Sequence, residues 1–428
     1  MEFLTPGQRL KKIRKELNMT QNDFTDDTMT RSYFGMIEVG KRNLNKNTAK
    51  LIMEKLRSKA KELNIEMNID ENDLLMSREE EAVIYCKSKM ENNPTEEDVN
   101  SVIEIGSKYG LKEEEANAYK VLGDIKYESY QFLDAFIAYS NSLEIYKEIK
   151  NIDKQCYLNN RLGMCKLREL DYVEALLYFN RANHYAVEFK DKVVEINSIF
   201  NIALTYKKMG KIEEALKYID IYISKISDFS DYSERCPQVN ILKANCLNEK
   251  GYIEESILVL TETLNNFTNL KEEIKGTIYN NLGSFYLDLG DYDSSLIAFN
   301  KSESIRVEHD EALLSHTIIN KAELYIEKEL YTEATLLLKM GCDIAKKYNE
   351  NYYLIEGYYL LIDVYKKLCK LEEAEELYHK IIEIADTKYN SSQLLKAYLK
   401  LIELYINQNK LKEAGDIIKV SQKIGGNW

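Results

Sequence analysis

The chain has 428 residues, 45% of them hydrophobic and 30% charged, and a net charge of −13 at pH 7, which is too long for one compact core and suits a small domain joined to an extended helical array. Only three prolines (Pro6, Pro94, Pro237) and seventeen glycines interrupt a composition rich in Leu, Glu, Lys, Ala and Ile, which favours helix and leaves almost no β-structure. The charge is divided, with 14 Lys+Arg against 8 Asp+Glu in residues 1–63 and −19 left for the remainder, so that a polyanion would meet the head and be repelled by the body.

In chain order, Thr5-Pro6 sets a capping hydroxyl before a proline at the first helical position, and Leu10, Ile13 and Leu17 follow at helical spacing. Thr20 to Phe24 reads as a short second helix, and Thr30 opens a third that runs to Glu38. On that helix Phe34 and Ile37 face inward while Arg31, Ser32, Tyr33, Gly35 and Met36 stay on the outer face. Val39-Gly40-Lys41-Arg42-Asn43 ends it, with Gly40 at the usual C-terminal place. Residues 64–92 read as a connector, polar from Asn64 to Asp73 and helical from Ser77 to Met90.

The words LKKIRKELNMTQ at 10–21 and TRSYFGMIEVGKRN at 30–43 resemble the lambda-repressor-like (Xre-type) helix-turn-helix family across residues 7–56. The resemblance implies a small five-helix DNA-binding head over residues 1–63. In it Gln21 touches a backbone phosphate, Thr30 caps the recognition helix, Arg31, Ser32 and Met36 face base edges with Tyr33 near the backbone, and Lys41 and Arg42 steer toward phosphates. It also implies a structural ion pair between Arg14 and Glu38. The turn Asp26-Asp27-Thr28-Met29 is one residue shorter than the family's and lacks its glycine. The alternative for such a head is a dimerisation or protein-binding module.

Beyond the connector the chain repeats. A mid-helix position recurs as Gly123, Gly163, Ala203, Ala244, Gly283, Ala322, Ile362 and Ile402, at intervals of 39 to 41, and twelve residues after each stands Ala135, Ala175, Ala215, Ser256, Ser295, Ala334, Ala374 and Ala414. One small side chain on each of two antiparallel helices lets them cross closely, so the unit is a helical hairpin. Tyr206, Tyr286, Tyr325, Tyr365 and Tyr405 recur three residues past the first position. The unit resembles the tetratricopeptide repeat, with helices longer than the standard ones, and a weaker unit from Val83 to Gly110 caps the stack. The fold expected is all-α, the head followed over 93–428 by a right-handed solenoid of 8–9 hairpins.

The first helices carry Asn160, Asn197, Asn201, Asn245, Asn280, Asn281 and Asn320. A carboxamide both donates and accepts, so a ladder of them can pair with the backbone of an extended peptide without choosing its side chains. Tyr157, Phe200, Ile241 and Tyr359 would supply apolar pockets. The bland alternative is that each asparagine is merely solvated.

No catalytic centre, metal site or cofactor is expected. The four histidines (His184, His309, His316, His379) lie in distant repeats, and the seven cysteines (Cys86, Cys156, Cys165, Cys236, Cys246, Cys342, Cys369) form no C-x-x-C pair. No apolar run approaches the roughly 20 residues that span a bilayer, and no signal-peptide pattern opens the chain, so a cytoplasmic protein without a membrane partner is expected. The terminal Gly425-Gly426-Asn427-Trp428 reads as a frayed tail. Head and repeats in this order resemble the RRNPP family of bacterial peptide-pheromone receptors, NprR/PlcR-like in architecture. That resemblance implies a homodimer on a palindromic double-stranded DNA operator, switched by a short signalling oligopeptide. Rap-like members suggest the alternative, a solenoid acting on a regulatory protein partner.

Overall fold

The computed structural model describes residues 2–27, 29–227, 232–267, 269–387 and 391–425. Among them every regular element is helical, and no helix is long and apolar enough to cross a membrane. Thr28 of the short turn and the tail residues Gly426 to Trp428 lie outside the described residues. The chain falls into two compact units, residues 1–209 and 210–428.

The first unit begins with the head. Helix α1 (Pro6–Glu16) starts in a capping box between Thr5 and Gln8, and a 3₁₀ turn (Gln21–Phe24) stands where a second helix was expected. Helix α2 (Arg31–Glu38) is capped by the Thr30 hydroxyl, which accepts from the Tyr33 N–H, and α3 (Lys46–Glu62) by Asn45. Phe24 stacks on Phe34 with ring centroids 4.4 Å apart, inside a core of Leu10, Leu17, Met29, Ile37, Ile52, Met53 and Leu56. This core runs past residue 63. The short α4 (Glu71–Leu75) packs on α1 and α3, burying Leu74, with Met67, Ile69 and Leu75 beside it. The first part of the stretch expected as connector, through Leu75, therefore belongs to the head, because four apolar side chains close its open side, and its helical part, Arg78–Lys89, belongs to the first hairpin.

Helical hairpins follow: α5 (Arg78–Lys89) with α6 (Glu96–Tyr109), α7 (Lys112–Glu128) with α8 (Phe132–Glu148), and α9 (Asp153–Arg168) with α10 (Tyr172–Phe189), then α11 (Lys192–Lys208). The second unit holds α12 (Ile212–Ile226) and the pairs α13 (Tyr232–Glu249)/α14 (Ile253–Asn266), α15 (Glu272–Leu289)/α16 (Tyr292–His309), α17 (Glu311–Glu327)/α18 (Tyr331–Lys347), α19 (Asn351–Lys367)/α20 (Leu371–Thr387) and α21 (Ser391–Asn407)/α22 (Leu411–Gly425). Within a unit, first helices also touch first helices of the next pair, α9 with α11 and α13, α15, α17 and α19 in succession. They form the tighter inner layer of a tetratricopeptide-like stack.

The small residues do what their spacing predicts. The Ser295 hydroxyl donates to the Gly283 carbonyl at 2.7 Å, joining α16 to α15 at their crossing. Seven residues after each mid-helix position the chain turns through the left-handed region, at Tyr130, Leu170, Gly210, Gly251, Gly290, Glu329, Cys369 and Asn409. After Tyr130, Leu170, Gly251, Gly290, Glu329, Cys369 and Asn409 the next N–H bonds back to the carbonyl five residues earlier, as Asp291 does to Tyr286 at 2.9 Å. Where the turn residue is not glycine its Cβ is strained. Leu170, at φ 65° and half exposed, is such a place. Leu170→Gly is expected to raise the unfolding free energy read from a urea titration by about 0.5–1 kcal/mol, net of the extra freedom of the unfolded chain.

Candidate functional site

The head presents one polar surface. Arg31, Ser32 and Met36 on α2 are exposed, Tyr33 is half-buried against the core, and Lys41 and Arg42 are exposed just past the helix. Buried Phe34, Ile37 and Glu38 fix the opposite side of the same helix. Glu38 Oε1 accepts from Arg14 Nε at 2.6 Å and Oε2 from Arg14 Nη2 at 3.2 Å, while Arg14 Nη1 reaches the Met19 carbonyl at 2.8 Å. The pair lies as expected, but Gln21 joins it: its Nε2 donates to Glu38 Oε2 at 2.7 Å. The amide expected on a phosphate thus commits one Nε2 N–H to holding the turn on α2, and its second N–H is what remains to donate outward. Among the described residues no side-chain hydrogen bond or ion pair engages Arg31, Ser32, Lys41 or Arg42, although the Lys41 and Arg42 N–H groups donate to the Met36 carbonyl at 2.8 and 3.2 Å.

The second candidate surface is one face of the inner helices. Positions three and two before the mid-helix residue, and one and five after it, fall within one sector of a helix. In the first unit Asn201 Nδ2 donates to Asn160 Oδ1 at 3.0 Å, bridging α11 and α9. In the second unit a chain of amides runs Asn320 to Asn280 (3.4 Å), Asn280 to Asn281 (3.4 Å) and Asn281 to Asn245 (3.0 Å). Six of the seven asparagines are therefore brought together in two ladders. Asn197 is half-buried one turn before Asn201. Tyr359 is half-buried at the register of Asn280, its hydroxyl without a hydrogen-bond partner and the Lys396 ammonium 4.4 Å from its ring centroid. Burial pushes the Tyr359 phenol up to about 12.

Charged groups share this face, and the sequence reading missed them. Asp124 Oδ1 on α7 accepts from Tyr139 Oη at 2.6 Å, Arg161 Nη2 at 3.0 Å and Tyr157 Oη at 3.2 Å, and the Lys120 ammonium stands 3.5 Å from Oδ2. Tyr157, expected as an apolar pocket, is thus part of a polar network. In the second unit Glu323 is open to solvent yet hemmed in by protein. Burial, then Asp288, Glu356 and Glu327, raise its carboxyl to about 7, as a carboxylate on an enclosed acidic wall should be. Asn248 Nδ2 donates to Asp288 Oδ2 at 2.8 Å on the same wall. Listing residues by distance from the mid-helix position exposes both groups, since Asp124 and Glu323 stand one after it and Asp288 and Glu327 five.

A family model described as a tetratricopeptide repeat matches residues 196–220 and 276–306. Response regulator aspartate phosphatase A of Bacillus subtilis (strain 168) is 24% identical over 233 residues, which cover 52% of this chain and 59% of that protein. The chain thus spans less than two thirds of that curated relative. Among solved structures, the apo form of the quorum sensor NprR from B. thuringiensis aligns over 97% of this chain and 99% of that one, with 16% identity and a TM-score of 0.47. NprR in complex with its cognate peptide NprX aligns over 77% and 97%, with 20% identity and a TM-score of 0.48. The chain carries tetratricopeptide repeats and is similar in structure to these RRNPP members.

Proposed function

We propose that the chain is a non-catalytic, cytoplasmic transcription regulator, whose head reads a palindromic DNA operator as a homodimer and whose asparagine-bearing helices bind a short signalling peptide. The observation that carries the reading is the exposed row Arg31, Ser32 and Met36 on a helix whose other side is locked by Phe34, Ile37 and Glu38. The fold makes no internal use of these side chains, and a rigid helix presenting them suits insertion in a major groove. The amide ladders support the peptide half. Each carboxamide has two N–H groups and two lone pairs, and the ladder occupies only part of them, so oriented donors and acceptors remain for an extended backbone.

The experiment is fluorescence anisotropy with DNA from upstream of the chain's own gene, with and without short peptides encoded nearby. Arg31→Ala with Ser32→Ala is expected to weaken operator binding by at least about tenfold, one bidentate base contact being worth about 1–3 kcal/mol. Asn201→Ala with Asn281→Ala is expected to abolish the peptide response and leave DNA affinity in place. If no DNA binds under any condition, the DNA half is wrong. The second reading then applies, a solenoid acting on a regulatory protein partner, which similarity to a response regulator aspartate phosphatase favours.

A further inference from the structure

The head core ends at Leu75 and the core of the first hairpin begins at Ala82. After α4 the chain passes from one to the other through the short stretch at Met76, which is extended at φ −57°, ψ 127°. A single covalent crossing of this kind is a hinge unless something else spans it. The helices of the head share no substantial contact with α5, and a groove of about 540 Å³ on the head, lined by Ile13, Leu17, Met67 and Ile69, opens toward the joint at Met76 and Glu81.

Residues 2–5, ahead of α1, span the joint a second time. Phe3 is 6% exposed and sits in the core of the hairpin rather than that of the head, with Ala82, Cys86, Val99 and Val102. Its ring centroid lies 5.6 Å from that of Tyr85 on α5 and 5.3 Å from that of Tyr109 at the end of α6, and its N–H donates to Tyr109 Oη at 3.2 Å. Arg9 on α1 works from the other side. Nη1 donates to the carbonyls of Asp73 (2.8 Å) and Met76 (2.6 Å), and Nη2 to the Leu4 carbonyl (3.1 Å) and to Glu81 Oε2 (2.7 Å) in the first turn of α5. The same Glu81 oxygen accepts the Leu4 N–H at 3.2 Å. One guanidinium thus ties α1, the end of α4, the hinge residue and α5.

We infer that Phe3 and Arg9 are positioning residues: a plug and a lock that convert the hinge at Met76 into a two-point mount and fix the head on the first hairpin. If the head reads DNA as proposed above, this mount is what carries a change in the repeats to the Arg31 surface. The mount itself does not depend on that reading. A plug held by shape and a lock held by a planar fork of donors resist rotation in different directions, so both are needed.

The test is a distance measurement by electron spin resonance on the full chain, free of DNA and peptide. Spin labels go on Lys50→Cys in the head and Glu128→Cys in the repeats, two exposed sites, in a Cys369→Ser background because the other six cysteines are buried. With the labelled chain diluted in an excess of unlabelled Cys369→Ser chain, so that labels on two protomers seldom meet, the parent is expected to give one narrow distance. Phe3→Ala with Arg9→Ala is expected to lose it for a broad distribution at unchanged helix content, while Phe3→Met alone keeps it narrow. A narrow distance in the double variant, or a broad one in the parent, overturns the inference. Should the double variant lose its helix content, Glu81→Gln is measured in its place, where broadening supports the lock and an unchanged width refutes it. A head that binds no DNA leaves every one of these outcomes as stated.

Discussion

Glu38→Ala is expected to unfold the head while the second unit stays folded. The Glu38 side chain is 2% exposed and that of Arg14 11%, so removing the carboxylate strands a buried guanidinium and frees the Gln21 amide that also rests on it. Breaking one side of such a pair costs about 3–5 kcal/mol, a large part of the about 5–15 kcal/mol that holds a typical domain together. Hydrogen exchange read by mass spectrometry should show α1 to α3 losing protection together, with α15 and α16 unchanged; on the proposed DNA-reading role of the head, operator binding should disappear with the protection. The double variant Arg14→Leu with Glu38→Leu should regain much of the stability, because apolar side chains of similar bulk often replace a buried pair at little cost. A loss of no more than about 0.5 kcal/mol in Glu38→Ala, the range of an ordinary surface change, would show that the pair does not hold the head.

The cap at Thr5, the outer face of α2 and the register of the hairpins were legible in local spacing, which a periodic chain displays openly, whereas the Arg14–Glu38 pair and the Thr30 cap were legible only through the family resemblance. What stayed hidden depends on contacts between distant segments. Nothing periodic in the polar run from Asn64 to Asp73 says that Met67, Ile69 and Leu74 complete the head core. Gln21 carries no mark in its own neighbourhood of a bond to Glu38. The asparagines could be counted, but their bonding to one another across repeats, Asn201 to Asn160 and Asn281 to Asn245, depends on how far apart successive inner helices lie. Nothing in the local sequence marks Phe3, ahead of a helix, as a residue that fills a second core.

One hidden rule can be tested directly. A Cβ added to Gly283 would lie 2.5 Å from Phe299 Cδ1, and the same close approach joins Gly163 to Phe179 and Gly123 to Tyr139. In each case the ring stands sixteen residues after the glycine, whereas Ala244 and Ala322 are followed at that distance by Leu260 and Leu338. Within these five repeats a missing methyl on the inner helix is answered by an aromatic ring on the outer one, which keeps the filled volume constant, as close-packed interiors require. Phe299 is fully buried, so Phe299→Ala is expected to cost about 3–5 kcal/mol in urea unfolding of the second unit. Gly283→Ala alone gains about 1 kcal/mol of helix propensity but meets an overpacking penalty of about 1–3 kcal/mol, so it should be neutral to destabilising. Phe299→Leu alone leaves a cavity. Together, Gly283→Ala and Phe299→Leu recreate the arrangement of Ala322 with Leu338, and the new Cβ occupies the space the ring gives up. The double variant should therefore be more stable than the sum of its parts by about 1–3 kcal/mol, a coupling well above the scatter for independent sites. Strict additivity would mean that α15 and α16 do not meet at Gly283, and that the glycine is there for some reason other than the ring opposite it.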